Sequence, residues 1–276
     1  MKKQYHLSNG CSFSTKKKGA GSCHQILARL YGATDINLAK GGRGNDRMVQ
    51  TTMQYFYNNP ERFKDTSVSV GWSTPYRWDF ILHTQLKEGS GSYVIRGANT
   101  EFDWQWQTWH IAKKDPPEPG KFFLKYSVMD RGMDFELMHC VKLYTQILTL
   151  QYFFKAHNIP YVMYHALTND CPVEKVNGIK RPQLKILRNQ IDKKHFYNFE
   201  PSDYGEENIK MQLANRSSPE HKVFVPNKDY TQSQFEYVAK NKLHKGPNDG
   251  HPSPEGHRQW GQLLWQFVKK NGLFPN

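Results

Sequence analysis

Residues 4–14 read QYHLSNGCSFS, and the way this stretch ends decides the fold. Gln4–Leu7 has the character of a short strand. It runs straight into Ser8-Asn9-Gly10-Cys11-Ser12-Phe13-Ser14, a turn of small and hydroxyl residues. Two readings compete for that turn. It presents a nucleophile at a strand end, with Cys11 or one of the serines as candidate, or it is a polar loop whose serines bond their own backbone.

The pattern repeats further along. Cys23–Tyr31 (CHQILARLY) carries apolar residues at helical spacing and is closed by Gly32. Asp35–Ala39 (DINLA) reads as a second strand leading to Gly41-Gly42, and Asn45–Asn58 (NDRMVQTTMQYFYN) as a helix with Asn45 or Asp46 at its start. Thr66–Gly71 (TSVSVG) is a third strand, followed by Trp72-Ser73. Strands and helices alternating through connections this short predict a parallel sheet covered by helices. In such a sheet ligands sit outside the carboxyl ends of the strands. The turns at Gly10-Cys11-Ser12, Gly41-Gly42 and Gly71-Trp72-Ser73 are therefore expected at one rim.

From Phe80 to Pro119 the periodicity degrades. Trp104, Trp106 and Trp109 stand among polar residues there, either packed down a long loop or offering a surface for a carbohydrate or a partner. Phe135–His157 is the longest helix signal, stopped by Asn158-Ile159-Pro160. Tyr161–His165 reads as a fourth strand and Ile191–Phe199 holds a fifth. Residues 200–247 are polar and give no clear pattern. Glu255–Lys270 is a terminal amphipathic helix closed by Gly272, and Asp249-Gly250-His251-Pro252-Ser253 precedes it.

Taken in order, these blocks resemble the SGNH (GDSL-type) hydrolase superfamily. The residues carrying the resemblance are Gly10-Cys11-Ser12, Gly42 with Asn45 beyond it, Gly71-Trp72-Ser73-Thr74-Pro75 with Arg77, and Asp249-Gly250-His251 before the last helix. The third block is also similar to SGNH-like proteins encoded by bacteriophages. The resemblance covers about residues 5–80 and 245–270. It implies a flavodoxin-like three-layer α/β sandwich, with about five parallel strands and long loop insertions. On that reading residues 1–276 form one domain with insertions at about 80–120 and 200–247. The resemblance further implies Ser12 as nucleophile, His251 as base and Asp249 as its orienting partner. Oxyanion donors would come from Ser12, Gly42 and Ser73, and substrate contacts from Asn45, Trp72 and Arg77. The chemistry needs these types together: a serine hydroxyl is a poor nucleophile until an imidazole takes its proton, and the imidazole needs an acceptor to fix its tautomer.

The chain departs from the family pattern at three places. Ser73 stands where the family has an oxyanion asparagine, Cys11 where it has the aspartate of Gly-Asp-Ser, and Asp249-x-His251 replaces Asp-x-x-His, with Asn248 three residues before the histidine. Cys11 has no signature of a reactive thiol and is read as packing behind the turn. His257 falls inside the terminal helix and is the poorer base. No trusted ligand spacing for a metal exists, Gly19-Ala20-Gly21-Ser22 lacks the rest of a P-loop, and no cofactor is expected.

Composition bounds the rest. The 276 residues carry 38 Lys and Arg against 25 Asp and Glu, a net charge of +13. The basic residues are spread, with Lys16-Lys17-Lys18 the densest run and no nucleic-acid motif beside them. A solvated basic surface is expected, and nucleic acid is not the main partner. Should the charge dominate, a polyanion would bind with steep salt dependence. No run of 18 apolar residues exists to span a membrane. The first residues hold no signal-peptide core, so a cytoplasmic location is expected, or a virion-associated one if the chain is phage-encoded. Cys11, Cys23, Cys140 and Cys171 are scattered and read as reduced thiols. The expected function is a serine esterase or deacylase acting on an acylated small molecule or glycan, such as an O-acetylated one. The rival is a decayed SGNH-like binding or structural protein that associates with other virion proteins.

Overall fold

The computed structural model describes residues 4–15, 21–75, 77–82, 105–110, 135–167, 175–176, 179–180, 182–199, 233–246 and 249–275. The first unit is strand β1 (Tyr5–Gly10), helix α1 (Cys23–Tyr31) and strand β2 (Thr34–Asn37). Ser22 caps α1 by accepting from Gln25 N–H, and Gly32 ends it in the left-handed conformation at φ 75°. Helix α2 (Asn45–Asn58) and strand β3 (Thr66–Trp72) complete the second crossover. After β3 come a hairpin of β4 (Arg77–Leu82) and β5 (Gln105–His110), then α3 (Phe135–Ala156) and β6 (Tyr161–His165). A small hairpin of β7 (Lys175–Val176) and β8 (Ile179–Lys180) leads to α4 (Pro182–Asn189) and β9 (Phe196–Tyr197). The last elements are α5 (Gln234–Lys240), β10 (His244–Gly246), β11 (Asp249–Pro252) and α6 (Pro254–Asn271).

Five strands form one sheet in the order β2-β1-β3-β6-β9, and every pairing in it is parallel. This is the flavodoxin-like α/β fold, with helices on both faces. On one face α2 and α3 bury Phe56, Leu143 and Ile147 against Leu7, Val68 and Val70. On the other, α1 and α6 bury Leu27, Trp260 and Leu264 against Val162 and Tyr164. Alternate residues of β6 feed the two cores, Tyr161 and Met163 the first and Val162 and Tyr164 the second, as the period of two requires.

The second face contains a polar seam. His6 on β1 bonds Ser67 and Ser69 of β3 at 2.9 and 2.7 Å, and Ser69 bonds His24 of α1 at 2.5 Å. His24 reaches the Tyr164 hydroxyl at 3.0 Å, which lies 3.2 Å from Cys23 Sγ. All of these side chains are buried, and each finds its partners within the seam, which is what makes such groups tolerable in a core. Burial takes the His6 imidazole down to about 3, and lowers His24 as well, so both are neutral.

Several expectations shift by a few residues. β1 continues to Gly10 rather than stopping at Leu7. β2 is Thr34–Asn37, not Asp35–Ala39, and the fifth strand is only Phe196–Tyr197. Within the stretch expected as one long surface excursion, β4 and β5 pair antiparallel, while 83–104, with Trp104, lie outside the described residues. Of the stretch without clear pattern, 233–246 forms α5 and β10, and 200–232 lie outside the described residues. Cys11, Cys23 and Cys140 are free and buried; Cys171 lies outside the described residues. Among the described residues no helix is long and apolar enough to cross a membrane.

Candidate active site

The turn after β1 is built by its neighbours. Ser14 N–H donates to Cys11 C=O at 2.9 Å, which closes a turn with Ser12 and Phe13 at its corner. Thr15 Oγ1 donates to Ser12 C=O, and Asn37 Nδ2 donates to Ser14 C=O. Below the turn, Asn9 is fully buried. Its amide donates to Met48 C=O, Thr51 and Thr52 on α2, and its Oδ1 accepts from Gly10 N–H. Gly10 is required by close approach, because a Cβ there would sit 2.2 Å from Ser14 Oγ and 3.0 Å from Gly71 C=O.

The chain beyond β2 keeps following β1. Leu38 N–H donates to Ser8 C=O and Lys40 N–H to Gly10 C=O. This carries the double-glycine turn up to the serine. Gly41 is the glycine that lies against it: a Cβ there would be 3.8 Å from Ser12 Cβ. Gly42, the expected oxyanion donor, is the next residue, at φ 73°, with open space where a side chain would be. That left-handed geometry makes glycine the natural occupant.

The histidine arrives from the other end of the chain. β10 and β11 pair antiparallel and set Asp249 and His251 beside the serine turn. His251 Nε2 lies 2.9 Å from Ser12 Oγ, and His251 Nδ1 lies 2.5 Å from Asp249 Oδ1. The same Oδ1 accepts from His251 backbone N–H at 3.0 Å. With the carboxylate at Nδ1, the hydrogen-bond network assigns the proton there and leaves Nε2 as acceptor for the serine hydroxyl. Burial alone would raise the Asp249 carboxyl. The hydrogen bonds from the His251 backbone and ring, with the charge of Lys245, outweigh it and hold Asp249 below the ordinary carboxylate value. The pair is open to solvent, with 37% of the His251 side chain and 46% of the Asp249 side chain exposed.

The third strand's turn is held by Asn45. Its Oδ1 accepts from Ser73 N–H at 2.8 Å and its Nδ2 donates to Ser73 C=O at 3.1 Å. Asn45 was expected to touch substrate; instead it is buried and its amide is committed to this clamp. Ser73 is 1% exposed, and among the described residues its hydroxyl has no hydrogen-bond partner. Trp72, also expected at the substrate, faces the core and is fully buried, because its position on β3 alternates with Gly71. Arg77 is half-buried and donates to Arg43 C=O at 3.1 Å. His257 is buried on α6, and Cys11 is buried beside the serine. Among the described residues no cluster of three His, Cys, Asp or Glu could hold a metal ion.

Sequence reasoning missed two aromatic residues. Phe13, directly after Ser12, packs on the His251 ring with centroids 5.1 Å apart. Phe235 on α5 meets Phe13 edge-on at 6.1 Å. Phe13 stood in the quoted turn, but its role needed the histidine's position; Phe235 lay in a polar stretch with no strong period.

No family model matches the chain, and no curated protein is similar to it in sequence. Among solved structures it is similar to a protein described as "a putative SGNH hydrolase from Slackia heliotrinireducens", with 12% identity over 96% of this chain and 99% of that one, at a TM-score of 0.36. A likeness that low carries no assignment, and the fold rests on the sheet order itself.

Proposed function

We propose that the protein is a serine hydrolase of acyl esters, working through Ser12, His251 and Asp249. One observation carries this reading: Ser12 Oγ, His251 Nε2, His251 Nδ1 and Asp249 Oδ1 are joined in one hydrogen-bonded line. Three side chains from opposite ends of the sequence meet in the order that proton transfer from a hydroxyl requires. His251 Nε2 takes the Ser12 proton as Oγ attacks the ester carbonyl. The tetrahedral oxyanion forms near the Ser12 N–H and the Gly41-Gly42 turn. His251 then returns the proton to the leaving alcohol, and water repeats the sequence to release the acid. The substrate class is an ester of a short acyl group, an O-acetylated glycan in the form the family resemblance gives.

A second reading, a binding or structural protein on the same fold, is favoured by one observation. The Asn45 amide is spent on the Ser73 backbone and the Ser73 hydroxyl is buried, so neither side chain is free to make the third oxyanion contact. A fluorophosphonate probe separates the two. Covalent labelling of the folded protein, lost in Ser12→Ala, with turnover of p-nitrophenyl acetate, supports the hydrolase. Absence of both in folded protein overturns it in favour of the binding role.

A further inference from the structure

Phe235 spans the two halves of the site. Its ring meets Phe13, the residue after Ser12, at 6.1 Å and 68°. It also lies over Gly250, the residue between Asp249 and His251: a Cβ at Gly250 would be 3.2 Å from Phe235 Cε2. Phe13 in turn packs against the imidazole at 5.1 Å and 34°. The ring thus touches the serine turn on one side and the base hairpin on the other.

Its own position is fixed from outside the site. Phe235 N–H donates to Ala166 C=O at 3.2 Å, directly beyond β6. The first turn of α5 is closed by a capping box, in which Ser233 Oγ accepts from Glu236 N–H and Glu236 accepts from Ser233 N–H. Gln234 donates to Cys23 Sγ on α1. The helix start is therefore held by β6 and α1 independently of β10 and β11.

We infer that Phe235 is a positioning residue, which through Phe13 and Gly250 holds the His251 imidazole in line with Ser12. The need for such a device follows from the exposure of the site. The Asp249–His251 hairpin is short, with His244 pairing Pro252 and Gly246 pairing Asp249 among the described residues, and both side chains face solvent. A hydrogen bond to a half-exposed carboxylate does not by itself fix a ring. Phe13 against the ring, backed by Phe235, which also lies over Gly250, restricts its tilt, and misplacement of about 1 Å at a catalytic group can cost on the order of 100-fold.

This inference rests on the proposed hydrolase, so its test includes a readout that does not. In Phe235→Ala, kcat for p-nitrophenyl acetate is expected to fall about 10- to 100-fold with KM little changed, and the fluorophosphonate labelling rate to fall in parallel. Phe235→Tyr and Phe235→Leu should recover most of the loss, and Gly250→Ala, pressing on the ring, should reproduce part of it. Independently of turnover, the His251 ring-proton resonances should shift in Phe235→Ala, as the imidazole moves against Phe13, while circular dichroism is unchanged. If Phe235→Ala does not fold, Phe235→Leu against Gly250→Ala carries the comparison. Wild-type kcat with unmoved His251 resonances overturns the positioning role. An inert wild-type protein whose His251 resonances still shift in the variant overturns the hydrolase alone.

Discussion

Asp249 Oδ1 accepts two hydrogen bonds from His251, one from the ring and one from the backbone. The Asp249-x-His251 spacing is explained by this. On a strand, residues two apart share a face, so Asp249 and His251 on β11 point the same way across Gly250.

On the proposed hydrolase reading, Asp249→Asn is expected to lower kcat about 100- to 1,000-fold. A buried aspartate in this role is worth on the order of 10⁴, but here nearly half of the carboxylate is exposed and its field is screened. Added salt should depress the wild-type rate more than the variant's. Steady-state kinetics on both proteins decide it, and a variant within threefold of wild type would remove Asp249 from the mechanism.

The pH dependence of stability should come largely from the buried histidines. Burial takes His6 and His165 from 6.5 to about 3. The unfolded chain therefore binds more protons than the fold between pH 6.5 and 3. The contribution is fully present above pH 6.5 and is lost as pH falls through that window, at up to about 1.4 kcal/mol per pH unit for each proton. Urea midpoints should drop steadily from pH 7 to 4. His6→Asn should be less stable at pH 7 because Ser67 and Ser69 lose their partner, yet show a shallower pH slope; an unchanged slope would exclude His6 as a source.

Asp79 on β4 caps a helix far from it in sequence. Its Oδ1 accepts from Gly44 N–H and its Oδ2 from Arg47 N–H, at the start of α2. It is also the counter-charge to Arg43 and Arg47, both largely buried, with Arg47 lowered to about 10 mainly by that burial. Asp79→Ala removes the cap, about 1 kcal/mol, and leaves two buried cations less compensated. A loss of about 2–4 kcal/mol by chemical denaturation is expected. Asp79→Asn, which keeps one acceptor, should lose less, and equal losses would show that charge decides.

The sequence was most legible where one physical signal dominated. Cys23–Tyr31 and Asn45–Asn58 have apolar faces and clear ends, and Tyr161–His165 is an apolar run behind a proline; all three have the expected bounds. β1 was read too short because Ser8 and Asn9 look like loop residues. They are buried, and bond Asp35 on one face and α2 on the other. In the same way, Ser67 and Ser69 alternate with valines as on a half-exposed strand, yet both faces are covered, and His6 and His24 satisfy them. Such pairings join residues 27 to 63 positions apart, so no local pattern reveals them. At the site, small-residue turns and the late histidine were visible, and the fold brings Ser12, Asp249 and His251 together. The burial of Trp72, the commitment of Asn45 and the reach of Phe235 depend on tertiary placement.

The contact between α1 and α6 is set by Gly261. A Cβ there would lie 2.9 Å from Cys23 C=O and 2.9 Å from Ile26 Cβ. Two effects oppose each other in Gly261→Ala. Helix propensity favours alanine over glycine by about 1 kcal/mol. Forcing the helices apart costs about 1–3 kcal/mol, because a backbone carbonyl cannot turn aside as a flexible side chain can. The clash should win, since α1 is held by Ser22 at its start and by the His24 seam along its length. A net loss of up to about 2 kcal/mol is expected in urea unfolding. Gly261→Leu should lose more, and a Gly261→Ala protein more stable than wild type would show that the two helices are free to separate.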